Sequence, residues 1–418
     1  VLPAAASPGP GGPAELQDVS GRIARWAAQH GGPAFVVLRP DSRVYAVCSD
    51  AKELRSALEA LSEALGLSQQ LADVQLAADG YRHKMDSVVR AVDVAYPILQ
   101  VPDLDLLERF LLAFGLRTCA RTAEALHMRG TGPAHTLYLA QRGEEARFLG
   151  LAFLAESAAD LERLARHEGV TVEPGEAPLG GLRVTLRDPD GIRVDVVCGQ
   201  AMVAPLPGRP AQASNEGERG AGFGRFGELR RVDEGSRYAR FAKGHLSDPS
   251  ASRVKRLGHC VLNVSDYRRS SDWYKSRLGL MDSDLISPDG RALLGSFQRC
   301  NRGEEYTDHH TLALFAFGQP PGLNHLAYEV AGTDDLMMGH FHLQYGAERG
   351  KVVAKHAWGV GRHILGSQIF DYWRDPYGHV MEHWTDGDQL RESDGSKVAT
   401  PKVLMATQWG PTILKSRL

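Results

Sequence analysis

Apolar positions along the chain fall into short alternating runs broken by amphipathic stretches, and one order of runs occurs twice. In its first occurrence VAYPILQV (94–101) reads as a strand and LDLLERFLLAFGL (104–116) as an amphipathic helix closed by Gly115. HTLYLA (135–140) and FLGLAFLAES (148–157) read as strands, Ala158–Glu168 as a second helix, and GLRVTLRDPDGIRVDVV (181–197) as two strands around an Asp-Pro-Asp-Gly turn. In the second occurrence GHCVLNV (258–264) is a strand, SSDWYKSRLGL (270–280) a helix ending at Gly279, and HHTLALFAF (309–317) and LNHLAYEV (323–330) are strands. Asp334–Tyr345 is then helical, and SQIFDYWRDPYGHVMEHWTDG (367–387) supplies two strands around Asp-Pro-Tyr-Gly.

This is an internal duplication. YPILQV (96–101) aligns with HCVLNV (259–264), LGLAFL (149–154) with NHLAYE (324–329), and RDPDGIRVD (187–195) with RDPYGHVME (374–382). Each half divides again into two strand–helix–strands modules. The predicted fold is therefore α+β, with tandem βαβββ modules forming two half-open barrel domains, each curled around a cavity. Before them, residues 1–90 read as a leader (Val1–Pro13) and a small α/β appendage: a helix over Glu15–His30, two short strands around Pro40-Asp41-Ser42, and a helix over Ala51–Leu65. The expected divisions are 1–90, a first half over 91–200, a Gly/Arg/Pro/Ser-rich linker over 201–250, a second half over 251–388 and a C-terminal tail over 389–418.

Composition narrows the class of function. At 418 residues the chain is long enough for two to three domains. A formal net charge of -3 offers no basic footprint for nucleic acid. No apolar run reaches the roughly 18 residues a membrane span needs. Five cysteines, Cys48, Cys119, Cys198, Cys260 and Cys300, are scattered without a CxxC pair, which fits a reducing cytoplasm better than a disulfide scaffold.

The candidate chemistry lies in the second half. Three of its strands each carry one ligand-type residue among apolar neighbours: His259, His325 and Glu382. Two imidazoles and one carboxylate form the facial set of non-haem Fe(II) oxygenases, with open positions for a chelating substrate and O2; such a set also accepts Mn(II). A lone strand histidine is ordinarily a core group, but the duplication sharpens the case. The matching first-half positions are Tyr96, Gly150 and Asp195, so that half keeps the pattern and lacks both imidazoles.

These stretches resemble the type I extradiol dioxygenases of the vicinal oxygen chelate superfamily. The resemblance covers about residues 92–390 and is sharpest in WGVGRHILGSQIFDYWRDPYGHVMEHWTDGD (358–388), NRGEEYTDHHTLAL (301–314), GLNHLAYEV (322–330) and RLGHCVLNV (256–264). It is similar to the dihydroxybiphenyl dioxygenases, and over the C-terminal stretch to the trihydroxytoluene oxygenase branch. The resemblance implies His259, His325 and Glu382 as iron ligands, His310 as the acid/base residue beside O2, and Tyr372 and His363 as hydrogen-bonding partners of the substrate oxygens. It also implies a small aromatic diol and O2 as reactants, ring cleavage next to the diol in aromatic catabolism, and a homo-oligomer. Trihydroxyarenes, aminophenols and hydroquinones stay open as substrates. A glyoxalase-type metal isomerase or a non-catalytic binding protein on the same fold are the competing classes.

Strand parity puts His309 on the face opposite His310 and assigns it, with His379 and His383, a structural role. Asp308 and Asp371 are acids that could orient a histidine from behind a metal ligand, but neither is assigned that role. Trp358 is assigned to the core or the cavity wall; Arg362, like Glu304 and Glu305, is assigned a solvated surface role, and only for a carboxylated substrate would Arg362 or Arg299 be the first arginine to test.

Overall fold

Strand β4 (Ala91–Val101) crosses the middle of an eight-stranded sheet whose order repeats the modular logic of the sequence. The computed structural model describes residues 87–209 and 250–411 together with three short strands near the start, Leu2–Pro3 (β1), Phe35–Leu38 (β2) and Val44–Cys48 (β3). These three form one antiparallel sheet in a unit made of Val1–Arg82 with Asp289–Arg291, and the remaining residues form a second unit. The β2–β3 pairing matches the expected hairpin, and β1 lies within the stretch read as a leader. Both helices expected before residue 66 lie outside the described residues.

In the second unit, the first module is β4, α1 (Leu104–Phe114), β5 (Arg117–Arg121), β6 (Ala125–Arg129) and β7 (Tyr138–Arg142). The next is β8 (Arg147–Ala155), α2 (Ala158–Glu168), β9 (Glu173–Pro174), β10 (Leu182–Arg187) and β11 (Arg193–Cys198). They join through antiparallel β4 and β8, giving the order β5-β6-β7-β4-β8-β11-β10-β9. Helix α1 forms where it does for local reasons. The Asp103 carboxylate accepts from the Asp105 and Leu106 amides, and Gly115 ends the helix at φ 115°. Its buried stripe is Leu104, Leu107, Phe110, Leu111 and Phe114.

The second half repeats this plan. Strand β12 (Arg256–Asn263) leads to α3 (Tyr267–Leu278), β13 (Leu280–Ile286), β14 (Gly295–Cys300), the short β15 (Thr307–Asp308) and β16 (Leu312–Phe315). Strand β17 (Gly322–Glu329) leads to α4 (Thr333–Glu348), β18 (Lys355–His363), β19 (Ile369–Arg374) and β20 (Val380–Thr385). The segment after residue 388 adds β21 (Gln389–Leu390), which pairs with β15, then β22 (Lys397–Ala399), a one-turn helix α5 (Pro401–Leu404) and β23 (Thr407–Trp409). Strands β22 and β23 form the two edges of the ten-stranded sheet, order β22-β13-β14-β16-β12-β17-β20-β19-β18-β23. This is the vicinal oxygen chelate architecture expected from the sequence.

The duplication holds at the level of register. Ile98 faces Gly150 as Val261 faces His325, Asp195 faces Ala152 as Glu382 faces Ala327, and Thr185 faces Asp195 as Tyr372 faces Glu382. The first half has no room for an imidazole at the position matching His325. A Cβ on Gly150 would lie 2.1 Å from the Arg193 carbonyl oxygen.

The two sheets share packing. Phe114, fully buried at the end of α1, stacks on His383 with centroids 3.7 Å apart and meets Tyr328 edge-on at 5.8 Å. His383 Nε2 donates to the Phe114 carbonyl (2.6 Å), and the Tyr328 hydroxyl donates to the Leu137 carbonyl (3.1 Å). Phe114→Ala is expected to cost about 3–5 kcal/mol in urea unfolding, because the ring fills a space that two β-sheets enclose. A loss below about 1 kcal/mol would show that this contact does not join the two halves.

Candidate metal centre

Strands β12, β17 and β20 are adjacent, and one register row crosses all three through His259, Ala327 and Glu382. His325 lies two residues before Ala327 and therefore on the same face. The period of two thus delivers three ligand-type side chains to one point from residues some 60 positions apart. His259 Nε2 and His325 Nε2 each stand 3.4 Å from Glu382 Oε2, with the imidazole planes 78° apart. Those separations exceed the ~2.9 Å of an ordinary N–H···O bond. Neither Glu382 oxygen, though fully buried, has a hydrogen-bond partner, and neither has His259 Nδ1. An uncompensated carboxylate is among the costliest groups to bury. A divalent cation among the three donors removes that cost, so these residues fit such an ion.

The first half supplies the control. Its matching carboxylate, Asp195, is equally buried but accepts two bonds from Arg193 (2.8 and 2.7 Å) and one from the Thr185 hydroxyl (2.9 Å). A guanidinium stands there where the second half leaves a place for a metal.

Neighbouring groups set the orientation of the donors. The Asn324 amide donates to Asn263 Oδ1 (3.1 Å), which turns its oxygen to accept from His325 Nδ1 (2.8 Å) and leaves the Nε2 lone pair aimed at the centre. Gly258 has to lack a side chain, since a Cβ there would lie 2.4 Å from the Trp384 ring. Burial lowers the pKa of His259. Burial also raises Glu382, but His259, His325 and His363 outweigh it and hold the carboxyl well below its usual value.

All six residues singled out in the sequence meet here. His259, His310, His325, His363 and Tyr372 line one cavity of about 440 Å³, and Glu382 lies buried beneath it. The His310 ring centroid is 3.9 Å from that of His259, and burial followed by His259 and His309 lowers its pKa well below the usual value. His363 Nε2 is 3.0 Å from the Tyr372 hydroxyl. Burial, reinforced by Glu382, holds that phenol well above its ordinary pKa and keeps it protonated. Trp358 is a wall residue, stacked 5.3 Å from Tyr372, with its indole N–H donating to the Pro411 carbonyl (2.7 Å).

Several sequence expectations are corrected. His309 does not turn away from His310: residues 309–311 are not in a strand, so parity does not apply, and the two Nδ1 atoms are 3.1 Å apart. The acid that holds His309 is Asp284, whose Oδ2 is 2.8 Å from His309 Nε2. Of the two acids considered, Asp308 pairs with Arg256, whereas Asp371 does hold histidines, His340 and His356, neither of them a residue of this centre. His379 and His383 are structural, bound to Asp375 and to the Phe114 carbonyl. Neither named arginine reaches the cavity. Arg299 is fully buried on the carbonyls of Asp282, Arg391 and Gly395, and Arg362 is tied to Ser367 and Asp386. Arg374 lines the cavity instead.

Known proteins share this organisation. Metapyrocatechase 2 of Cupriavidus necator is 31% identical over 324 residues, 75% of this chain and 88% of that protein. Biphenyl-2,3-diol 1,2-dioxygenase of Paraburkholderia xenovorans is 26% identical over 208 residues, 47% of this chain and 57% of that protein. The chain belongs to the extradiol dioxygenase family. Among solved structures, the 2,3-dioxygenase LapB from Pseudomonas sp. KL28 shares the fold at a TM-score of 0.58 and 15% identity, over 76% of this chain and 99% of that one. The Mn(II)-bound glyoxalase from Novosphingobium aromaticivorans does so at 0.57 and 23%, over 78% and 92%. A separate family model, the HcaD C-terminal domain, matches residues 1–64.

Asn324→Leu removes the acceptor that fixes His325 and leaves the donor set otherwise intact. Metal affinity in an anaerobic titration is expected to fall about 10- to 100-fold. Unchanged affinity would mean that His325 is not oriented by this amide.

Proposed function

We propose that the protein opens catechol-type rings next to the diol with O2, using Fe(II) held by His259, His325 and Glu382. The observation that carries this is the buried, unpartnered Glu382 carboxylate 3.4 Å from two imidazole nitrogens at the base of a cavity, in a chain of the extradiol family. Held there, iron would supply Lewis acidity toward the diol and redox capacity toward O2. Mn(II) fits the same donors.

The protein's own groups do the rest. Asp284 accepts from His309 Nε2–H, which leaves His309 Nδ1 as a lone pair facing His310 Nδ1. His310 Nδ1 must then carry its proton, and His310 Nε2 is left bare to take a proton from a substrate hydroxyl and return it later. Tyr372 and His363, bonded to each other beside Glu382, are placed to hydrogen-bond a diol oxygen and favour a singly deprotonated substrate. Phe315, Phe317, Leu365, Leu404 and Met405 form the apolar part of the wall, which supports an apolar ring substituent, while Arg374 and Gln368 are among its polar members. The first half is a metal-free copy that completes the scaffold. Family resemblance supports a homo-oligomer. The cysteines Cys119, Cys198, Cys260 and Cys300 are free, in keeping with a cytoplasmic setting, and no helix among the described residues is long and apolar enough to cross a membrane.

The test is anaerobic loading with Fe(II), then O2 uptake and a yellow ring-fission product across a panel of alkyl- and aryl-substituted catechols. Equal consumption of O2 and catechol is expected; product without O2 uptake would indicate an isomerase. Glu382→Ala should lose both metal retention and turnover. His310→Ala should retain the metal while turnover falls about 10²- to 10⁴-fold. Asp284→Asn, which unsettles the His309 tautomer, should lower kcat with little change in metal content.

A further inference from the structure

Alternation along β19 sends Asp371 to the face opposite its neighbour Tyr372. There, fully buried, the Asp371 carboxylate meets two histidines from two other elements. His340 Nδ1, from helix α4, is 3.1 Å from both carboxylate oxygens, and His356 Nε2, from β18, is 2.9 Å from Oδ1. The nitrogens and the oxygen all lie within 4.8 Å of one another. The imidazole planes stand at 89° with centroids 5.1 Å apart, so both rings aim a nitrogen at a common point without stacking. The Trp373 indole N–H donates to Asp371 Oδ2 (2.6 Å) and fixes the plane of the carboxylate, the kind of outer support metal ligands commonly have.

We propose that His340, His356 and Asp371 form a second divalent-metal site, suited to Zn(II). The donor set is two imidazoles and one carboxylate, a combination zinc takes with a water as fourth ligand. Zinc–nitrogen bonds of ~2.0–2.1 Å in a tetrahedron put donors about 3.3 Å apart, so the contacts need open by only a few tenths of an ångström. His356 is 36% exposed, which provides an entry path and room for that water. The site would clamp helix α4 to the strand that carries Tyr372. It shares no ligand with the His259–His325–Glu382 centre, although His356 also lines the cavity above that centre, and it does not depend on the reaction proposed above.

The experiment counts metals. The full chain, loaded anaerobically with Fe(II), is dialysed against micromolar Zn(II) and then metal-free buffer, and total iron plus zinc is measured by plasma mass spectrometry. Two metals per chain are expected in the wild type, falling to one in His356→Ala and in His340→Ala. His356 is at the surface, so its substitution leaves the core intact even if His340→Ala fails to fold. Zinc should also raise the Tm of the wild type and not that of His356→Ala. A wild type that holds no more metal than His356→Ala would overturn the proposal, leaving a hydrogen-bonded His–Asp–His cluster. So would a second metal that survives the His356 substitution.

Discussion

A carboxylate with no exposure to water and no hydrogen bond is the constraint around which this protein is arranged. Glu382 sits at the crossing of three strands, in a place where a charge is tolerable only beside an opposite charge. The two imidazoles that face it stand 3.4 Å away, beyond an ordinary hydrogen bond: burial disfavours protonation of His259, and Asn324 accepts from His325 Nδ1 and so turns Nε2 toward the carboxylate. What the sheet leaves to be supplied is a cation. The first half shows the other solution to the same problem, with Arg193 closing on Asp195.

Around that point the structure builds in layers. Register sets the donors, since a slip of one residue on β17 would turn His325 to the opposite face. Tight packing holds the register, as at Gly258 beneath Trp384. A second layer hydrogen-bonds the imidazoles from behind: Asn263 and Asn324 reach His325, and Asp284 and His309 reach His310. A third layer is apolar. Aromatic and aliphatic side chains, with Leu404, Met405 and Pro411 from the C-terminal segment, enclose the cavity and lower its dielectric, which strengthens each polar contact within it.

Much of this was legible in the chain because its cause is local or repeated. Gly115 marks the end of α1, and the paired RDPDGIRVD and RDPYGHVME stretches carry equivalent register into the two sheets. His259, His325 and Glu382 stood out as polar residues in apolar strands with no polar counterpart to His325 in the first half. What escaped was set by contacts distant in sequence. Asp284 lies 25 residues before His309 and carries no local motif linking them. His309 was misplaced because strand alternation was extended to residues that precede β16. The role of residues 389–411 was hidden because β22, α5 and β23 are too short for periodicity to register, and only edge pairing with β13 and β18 defines them. Arg299, a candidate only for a carboxylated substrate, directs its four hydrogen bonds to the protein's own backbone and Ser283.

The central claim is spatial: one ion bound at once by His259, His325 and Glu382. Anomalous diffraction at the iron edge, from crystals of the anaerobically iron-loaded protein, tests it most directly. The account predicts a peak within bonding distance of both Nε2 atoms and a Glu382 oxygen, and none beside Asp195. A protein that crystallises with iron elsewhere, or with Glu382 hydrogen-bonded and the three donors splayed apart, would contradict it.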